Sequence, residues 1–272
     1  MDKKKVLIIT QEMKPYTALS EISEIARKLP QYVQENGMEI RVLMPRFGTI
    51  NERRHRLHEV VRLSGMNIIV DDDDYPLIIK VASLPGARMQ VYFLDNEDFF
   101  KRKSVFENDK GEPFDDNADR MIFFCKGVIE TVKKFGWAPD IVHCHGWMTS
   151  LVPLYLKTAY EKEPIFQNSK IIYSIYENSL GKTFSDEFVA KASINNLNPE
   201  HLENYKTGNG ISLHSVAIDY SDAIIKGSFD LGDDNENLLA DLKKPVLECL
   251  SEEEYLPAYL EFYNSLLEQE VE

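Results

Sequence analysis

Two histidines stand one residue apart in a short apolar segment, His143 and His145 in IVHCH. Side chains alternate along a β-strand, so both histidines are expected on one face and Cys144 on the other. Such a pair could ligate zinc, but the spacing supplies no third ligand. The competing interpretation is a structural pair that is hydrogen-bonded at a strand end, with Trp147 and Met148 in the core. We therefore predict no metal site.

Carboxylates cluster at two further places. Asp115 and Asp116 precede Asn117 and Arg120, and paired carboxylates can serve acid–base chemistry. Asparagine is also a favoured first residue of a helix, so Asn117 is predicted to cap one, with Arg120 packed or paired nearby. The run Asp71–Asp74 lacks the alternating ligands and central glycine of a calcium loop, which predicts a turn between strands.

The elements that must position these residues alternate along the chain. Predicted strands are Lys5–Thr10, Ile40–Met44, Leu77–Ala82, Gln90–Leu94, Asp140–Cys144, Lys170–Ile175 and Asp222–Ile225, and predicted helices are Ser20–Asn36, Asn117–Phe135, Thr149–Tyr160 and Ser212–Asp219. Apolar strands separated by amphipathic helices are typical of a Rossmann-like, doubly wound α/β domain with a mainly parallel sheet. Ligands bind such sheets beyond the carboxyl ends of the strands.

Composition excludes several classes of protein. Of 272 residues, 43% are hydrophobic and 28% charged, as in a globular protein, and no apolar run is long enough to span a membrane. The net charge is −14, of which residues 229–272 carry −11 from 13 acids and 2 bases. No basic face stands out, so nucleic acid is an unexpected partner. Three scattered cysteines indicate no disulfide framework, and a cytoplasmic protein is expected.

Six collinear stretches carry a resemblance to a known family. They are QEMKPY, IRVLMPRFGTI, VYFLDNEDFF, GEPFDDNADRMIFFCKGVIE, GWAPDIVHCHGWMTSLVPLYLK and YSDAIIKGS. They resemble motifs of bacterial glycogen synthases and plant starch synthases, the ADP-glucose-dependent glucosyltransferases. The longest is similar to the family pattern W-x-P-D-V-V-H-x-H-D-W-x-T-x-L-x-P-x-Y-L. The match runs from about Lys5 to Ser228.

The resemblance implies a domain organisation. Family members have two facing α/β domains, the GT-B arrangement, with the active site in the cleft between them. Residues 1–228 resemble the first domain, and 229–272 are expected to form an acidic helical extension of it, without room for the second domain. Within that extension we predict a terminal amphipathic helix from about Pro257 to Gln269, packed on the domain or on a second copy.

The resemblance also implies where a nucleotide-sugar donor would bind. The family places a lysine and two glycines after the first strand, against the donor diphosphate. Counted without a gap, these positions fall on Ala18, Ser20 and Glu21. A carboxylate there repels phosphate, and Ser20 is the residue type that caps a helix. Lys14 is the nearest replacement cation. We expect this loop to have lost its donor site, so tight binding of ADP-glucose is not expected.

Two further family positions differ at the same rim. The acidic residue of H-x-H-D-W is here Gly146, and the histidine of T-V-H-N falls on Tyr176. Tyrosine stays neutral until about pH 10, so it cannot replace a histidine that titrates near neutrality. No catalytic residue is therefore assigned. The residues predicted to bind an α-glucan are His143, His145, Tyr176, Asn178, Asp115 and Asn117.

Two functions remain open from the sequence. The first is a glucosyltransferase domain of glycogen biosynthesis that is inactive alone and is completed by a partner chain. The second is a non-catalytic glucan-binding or regulatory subunit, alone or as a homo-oligomer. A dinucleotide-binding oxidoreductase is disfavoured, because no G-x-G-x-x-G follows the first strand. No cofactor is expected.

Overall fold

The computed structural model describes residues 3–177, 184, 187–194, 197, 200–208 and 210–268. The strands are β1 (Lys5–Thr10), β2 (Glu39–Pro45), β3 (His58–Glu59), β4 (Met66–Val70), β5 (Asp73–Ser83), β6 (Gln90–Asp95), β7 (Ile141–His145), β8 (Lys170–Ile175), β9 (Lys206–Thr207), β10 (Gly210–Ile211), β11 (Ala223–Lys226) and β12 (Val246–Leu247). The helices are α1 (Ile22–Glu35), α2 (Glu52–His55), α3 (Glu97–Phe100), α4 (Asn117–Phe135), α5 (Leu151–Lys157), α6 (Glu187–Ala192), α7 (Glu200–Glu203), α8 (Leu213–Tyr220), α9 (Asp233–Leu239) and α10 (Tyr255–Glu268).

A ten-stranded sheet forms the centre of the described part of the chain. Its order is β12-β11-β8-β7-β1-β2-β6-β5-β3, with β4 paired to β5. The strands from β12 to β6 run parallel, and Ile8 of β1 lies between Val42 of β2 and His143 of β7. Chain order reverses at β1, which makes the loop after β1 the topological switch point of the sheet. The structure confirms the predicted α/β class with a mainly parallel sheet.

Burial explains why these segments form strands and helices. β1 and β7 are buried along nearly their whole length, as strands covered on both faces must be. Helix α4 has both predicted bounds and ends at Gly136, which takes the left-handed conformation that favours glycine. The predicted helix Thr149–Tyr160 is shorter, because Trp147–Thr149 form a 3₁₀ turn before α5. Within the residues described, no helix has the length and apolar character needed to cross a bilayer.

The sequence predicts only one strand at the β3–β4–β5 edge of the sheet, Leu77–Ala82, which lies within β5. β4 and β5 form an antiparallel hairpin in which Val70 pairs with Asp73. Asp71 and Asp72 of the acidic run form its turn, and Asp71 has a positive φ of 58°. The prediction of a turn over Asp71–Asp74 is too long, because Asp73 and Asp74 pair with β4 as the start of β5. β4 is half exposed, with an irregular apolar pattern, which explains why periodicity did not reveal it.

The extension after residue 228, predicted to be helical, contains two helices and also a short strand. β12 pairs in parallel with β11 and extends the central sheet, with Ile224 opposite Val246. Two apolar residues after a proline are too short a pattern to predict a strand. Helix α10 begins two residues before Pro257, and the predicted end at Gln269 lies outside the described residues. Its buried side chains are Tyr255, Tyr259, Tyr263 and Leu266.

Candidate functional site at the carboxyl edge of the sheet

The loop after β1 folds around its own carboxylate. Glu12 is fully buried and accepts hydrogen bonds from the backbone N–H of Leu19, from the backbone N–H of Ser20 at 2.9 Å and from Ser20 Oγ at 2.6 Å. Backbone amides that precede a helix are a natural anion site. Here an anion from the same loop already satisfies them.

The side chains of this loop offer no lysine to a phosphate. Ala18 is exposed at the position of the family lysine, and Lys14 forms an ion pair with Glu24. Glu21 occupies the cap position of α1 without capping it, and its carboxylate accepts a hydrogen bond from Ser228 Oγ. The sequence predicts Ser20 at the cap position of this helix, but α1 begins at Ile22 and the cap position is one residue later, at Glu21. Ser20 Oγ still accepts a 3.3 Å hydrogen bond from the Ile22 backbone N–H.

A cavity of about 440 Å³ lies beside this loop, and we call it the Phe229 cavity. Its lining residues are Glu21, Glu24, Ile25, Lys28, Lys226, Gly227, Ser228, Phe229, Cys249, Leu250, Glu252, Tyr255 and Tyr259. Both lysines are engaged by carboxylates. Lys28 pairs with Glu252, while Lys226 lies 2.9 Å from Glu236 and 3.0 Å from Glu248. The cavity is therefore acidic overall and unsuited to a diphosphate.

His143 and His145 stack on one face of β7, as predicted, with ring centroids 3.8 Å apart. Both are fully buried. His143 Nδ1 lies 2.5 Å from the Tyr263 hydroxyl and Nε2 lies 2.7 Å from Ser174 Oγ. His145 Nδ1 lies 2.9 Å from the Tyr176 hydroxyl, whereas its Nε2 has no partner.

Burial keeps this histidine pair neutral. It lowers the pKa of His145 to about 3, and burial together with the neighbouring His145 ring lowers the pKa of His143 well below its usual value. Across the described part of the chain, no three His, Cys, Asp or Glu side chains are grouped to hold a metal.

The structure brings three of the predicted glucan-binding residues together, but beneath a helix. His143 and His145 have no exposed surface, and Tyr176 retains only 2%. α10 covers His143, through the rings of Tyr259 and Tyr263. In this closed arrangement the three side chains are core residues, and sequence periodicity could not show that the last helix would cover them. Asn178, predicted beside them, lies outside the described residues.

The other two predicted residues form a separate structural group. Asn117 is the first residue of α4, not its cap, which corrects the prediction; the cap position is Asp116. The Asn117 side chain donates to the Phe106 carbonyl and accepts from Arg120 Nη1 at 2.9 Å. Asp115 is exposed. Arg120 is buried as predicted, and burial lowers its pKa to about 10.

Gly146 leaves no space for the acidic residue that the family has there. Its φ of +83° strains any other residue, and a Cβ would collide with the Gln11 side chain. Gln11 Oε1 accepts a 3.3 Å hydrogen bond from the Met148 backbone N–H. The gap between the loops after β1 and β7 is therefore filled by Gln11.

Sequence reasoning missed a second cavity, which encloses about 370 Å³ and which we call the Trp147 cavity. Its lining residues are Trp147, Thr207, Ile211, Ser212, Leu213, His214, Ser215, Asp234, Asn235 and Leu238. Trp147, predicted as a core residue, is 2% exposed, and its indole N–H has no partner. The polar residues at the N-termini of α8 and α9 were the signal that could have indicated this cavity. An aromatic ring surrounded by hydroxyl, amide and carboxylate groups can bind a polyhydroxylated ligand.

Comparison with known proteins identifies the family. Residues 5–230 match the family model described as "Starch synthase catalytic domain". Glycogen synthase from Chlorobium limicola is 34% identical over 223 residues, which cover 81% of this chain and 45% of that protein. Glycogen synthase from Chlorobaculum tepidum is 36% identical over 225 residues, with the same coverage. The chain therefore belongs to the starch synthase catalytic domain family.

A solved structure agrees with the fold. The catalytic domain of starch synthase IV from Arabidopsis thaliana, bound to ADP and acarbose, superposes with a TM-score of 0.77 at 17% identity. The match covers 92% of this chain and 52% of that one. At this identity the likeness establishes the fold alone. The chain spans a little under half the length of the two glycogen synthases named above.

Proposed function

We propose that this chain acts in α-glucan metabolism as a non-catalytic glucan-binding domain of the synthase family. The observation that carries the proposal is the Trp147 cavity, whose buried indole N–H lacks an acceptor. An unpaired buried donor costs about 1–3 kcal/mol, and a sugar hydroxyl gains that energy when side chains of the cavity wall shift on binding and open access to the indole N–H. Family membership directs the choice of ligand to a chain of glucose units.

The donor loop supports the absence of glucosyl transfer by this domain alone. Ala18 removes a charge-assisted contact to phosphate of about 1.5–3 kcal/mol, or roughly one to two decades of affinity. Glu21 adds a carboxylate beside the same loop, and Lys14 is held by Glu24. Tyr176 holds the position of the family histidine and is hydrogen-bonded inside the protein.

A second candidate is a glucosyltransferase domain that acts together with a separate partner. The observation that favours it is that the match covers only 45% of the glycogen synthase from Chlorobium limicola, which is about twice as long as the matched region. A partner that supplies the other half of the cleft would then provide the donor contacts.

A titration with maltoheptaose tests the glucan-binding proposal. We expect calorimetric binding in the millimolar range or tighter, and a 3- to 10-fold loss of affinity in Trp147→Phe, which keeps one aromatic ring and removes the five-membered ring with its N–H. Stability without ligand should fall by no more than about 1–2 kcal/mol, because the smaller ring leaves a void but the substitution also removes an unpaired donor. The matched control is Trp137→Phe, whose indole bonds Glu39 at 2.6 Å outside the cavity.

Two results would contradict the proposal. Absence of binding at 10 mM maltoheptaose, or equal affinity of Trp147→Phe and the wild type, would remove the Trp147 cavity as a glucan site. Glycogen elongation from radiolabelled ADP-glucose by the purified chain would show that it is catalytic after all.

A further inference from the structure

A cluster of unpaired arginines stands at the carboxyl edge of the sheet, after β2. It consists of Arg53, Arg54 and Arg56, which are exposed and make no ion pair within the described residues; we call it the basic patch. α2 is fixed to the sheet by Glu52, whose carboxylate lies 2.7 Å from Lys80 Nζ. The guanidinium groups are therefore presented to solvent on an anchored helix.

An excess of carboxylates stands at the same edge, after β11 and β12. The acidic patch consists of Glu21, Asp230, Glu248, Glu252 and Glu253. Its charge is only partly neutralised by lysines. Lys226 forms ion pairs with both Glu236 and Glu248, so one lysine neutralises only one of these two carboxylates.

The acidic patch surrounds an exposed aromatic ring. Phe229 is 77% exposed, an unusual state for a large apolar side chain, and it lines the Phe229 cavity together with Tyr255 and Tyr259. A guanidinium group stacks on aromatic faces and bonds carboxylates in its plane. The chemistry of this cavity therefore suits an arginine side chain.

The two patches lie on one edge of the molecule, on either side of the loop after β1. Tyr16 of that loop contacts His55 beside the basic patch, with ring centroids 5.0 Å apart. At its other end Glu21 bonds Ser228 beside the acidic patch. β2 and β11 are four strand spacings apart in the sheet, or roughly 19 Å.

This arrangement is self-complementary, so we infer that the chain forms a two-fold dimer through its carboxyl edge. A two-fold axis that lies in the plane of the edge, between the patches, places the basic patch of each copy against the acidic patch of the other. An arginine of one copy then enters the Phe229 cavity of the second. The contact occurs twice, and its charges are complementary at both ends.

Sedimentation equilibrium of the full chain tests this dimer. We expect a dimer at 50 mM salt that dissociates at 500 mM, because exposed charges are screened. Reversal of the basic patch with Arg53→Glu and Arg54→Glu should give a monomer at 50 mM salt. Reversal of the acidic patch with Asp230→Lys and Glu253→Lys should do the same. Phe229→Ala should weaken the dimer at least 5-fold.

Mixing the two reversed chains separates the proposed pairing from a general charge effect. Each variant repels itself, but an equimolar mixture restores opposite charges at both contacts and should form a heterodimer. The control for the basic-patch variant is Lys3→Glu with Lys162→Glu, which makes the net charge more negative by the same amount at exposed positions outside both patches. This control should remain a dimer.

A monomeric wild type at 50 mM salt and 100 µM protein, or a mixture that stays monomeric, would overturn the inference. The test uses no glucan, so its result is independent of the proposed function.

Discussion

Two stacked histidines are buried at the carboxyl edge of the sheet. His143 and His145 are neutral in the folded protein, because no carboxylate compensates a charge there and burial disfavours it. The hydroxyls of Tyr263 and Ser174 bond both ring nitrogens of His143, and the Tyr176 hydroxyl bonds Nδ1 of His145, whose Nε2 has no partner. This network joins β7 to β8 and α10.

The neutral pair makes stability depend on pH. The unfolded chain binds protons at these histidines below about pH 6.5, whereas His145 in the folded protein binds one only near pH 3. Stability is therefore lost as the pH falls through 6.5, by up to about 1.4 kcal/mol per pH unit for each histidine. Between pH 7 and pH 5, we expect the unfolding free energy of His145→Asn to fall by about 2 kcal/mol less than that of the wild type.

Urea unfolding at pH 7, 6 and 5 measures this difference. His58→Asn, at an exposed position, is the matched control and should follow the wild type. Identical pH dependence of His145→Asn and the wild type would show that the pair is not held neutral.

The sequence predicted that His143, His145 and Tyr176 lie close together, but it did not predict that α10 covers them. Alternation along one strand placed His143 and His145 on one face, and the next strand placed Tyr176 nearby. Whether that rim is open depends on a helix more than 100 residues later in the chain, and no local pattern carries this information. The unpaired indole N–H of Trp147 is likewise a property of tertiary packing.

At the scale of elements, α10 determines whether the histidine pair is open or closed. It packs beside α1 and lays Tyr259, Tyr263 and Leu266 against the sheet. Its period was visible in the sequence because leucines and tyrosines recur at helical spacing. β12 was not visible, because its two residues become a strand only by pairing with β11.

Two substitutions on α10 measure how firmly it is docked. Tyr263→Phe removes the hydroxyl that bonds His143 and should cost about 1–2 kcal/mol of unfolding free energy. Leu266→Ala should cost about 2–5 kcal/mol, because Leu266 is buried. The control is Tyr255→Phe, whose hydroxyl makes no hydrogen bond in the described structure. Urea unfolding at pH 7 gives the three values, and changes below 0.5 kcal/mol for both test variants would show a loosely attached helix.

At the scale of the whole molecule, one sheet joins the region before residue 228 to the extension that follows it. β11 precedes residue 228 and β12 follows it, yet they pair in register. The core is continuous from β1 to α10, since Tyr263 and Leu266 belong to the same buried cluster as Ile8. Residues 229–268 should therefore unfold together with the rest of the domain.

Native-state hydrogen exchange tests that cooperativity. We expect amides of α10 to exchange with the same free energy and the same urea dependence as amides of β11, because opening α10 alone would expose the buried histidine pair. The β9–β10 hairpin, a two-stranded sheet apart from the central one, should exchange much faster and serves as the internal control. The amides of α10 could instead show an exchange free energy several kcal/mol lower than that of the β11 amides, with little urea dependence. That result would show that α10 opens as a separate unit. The histidine pair would then be reachable by a ligand without unfolding of the sheet.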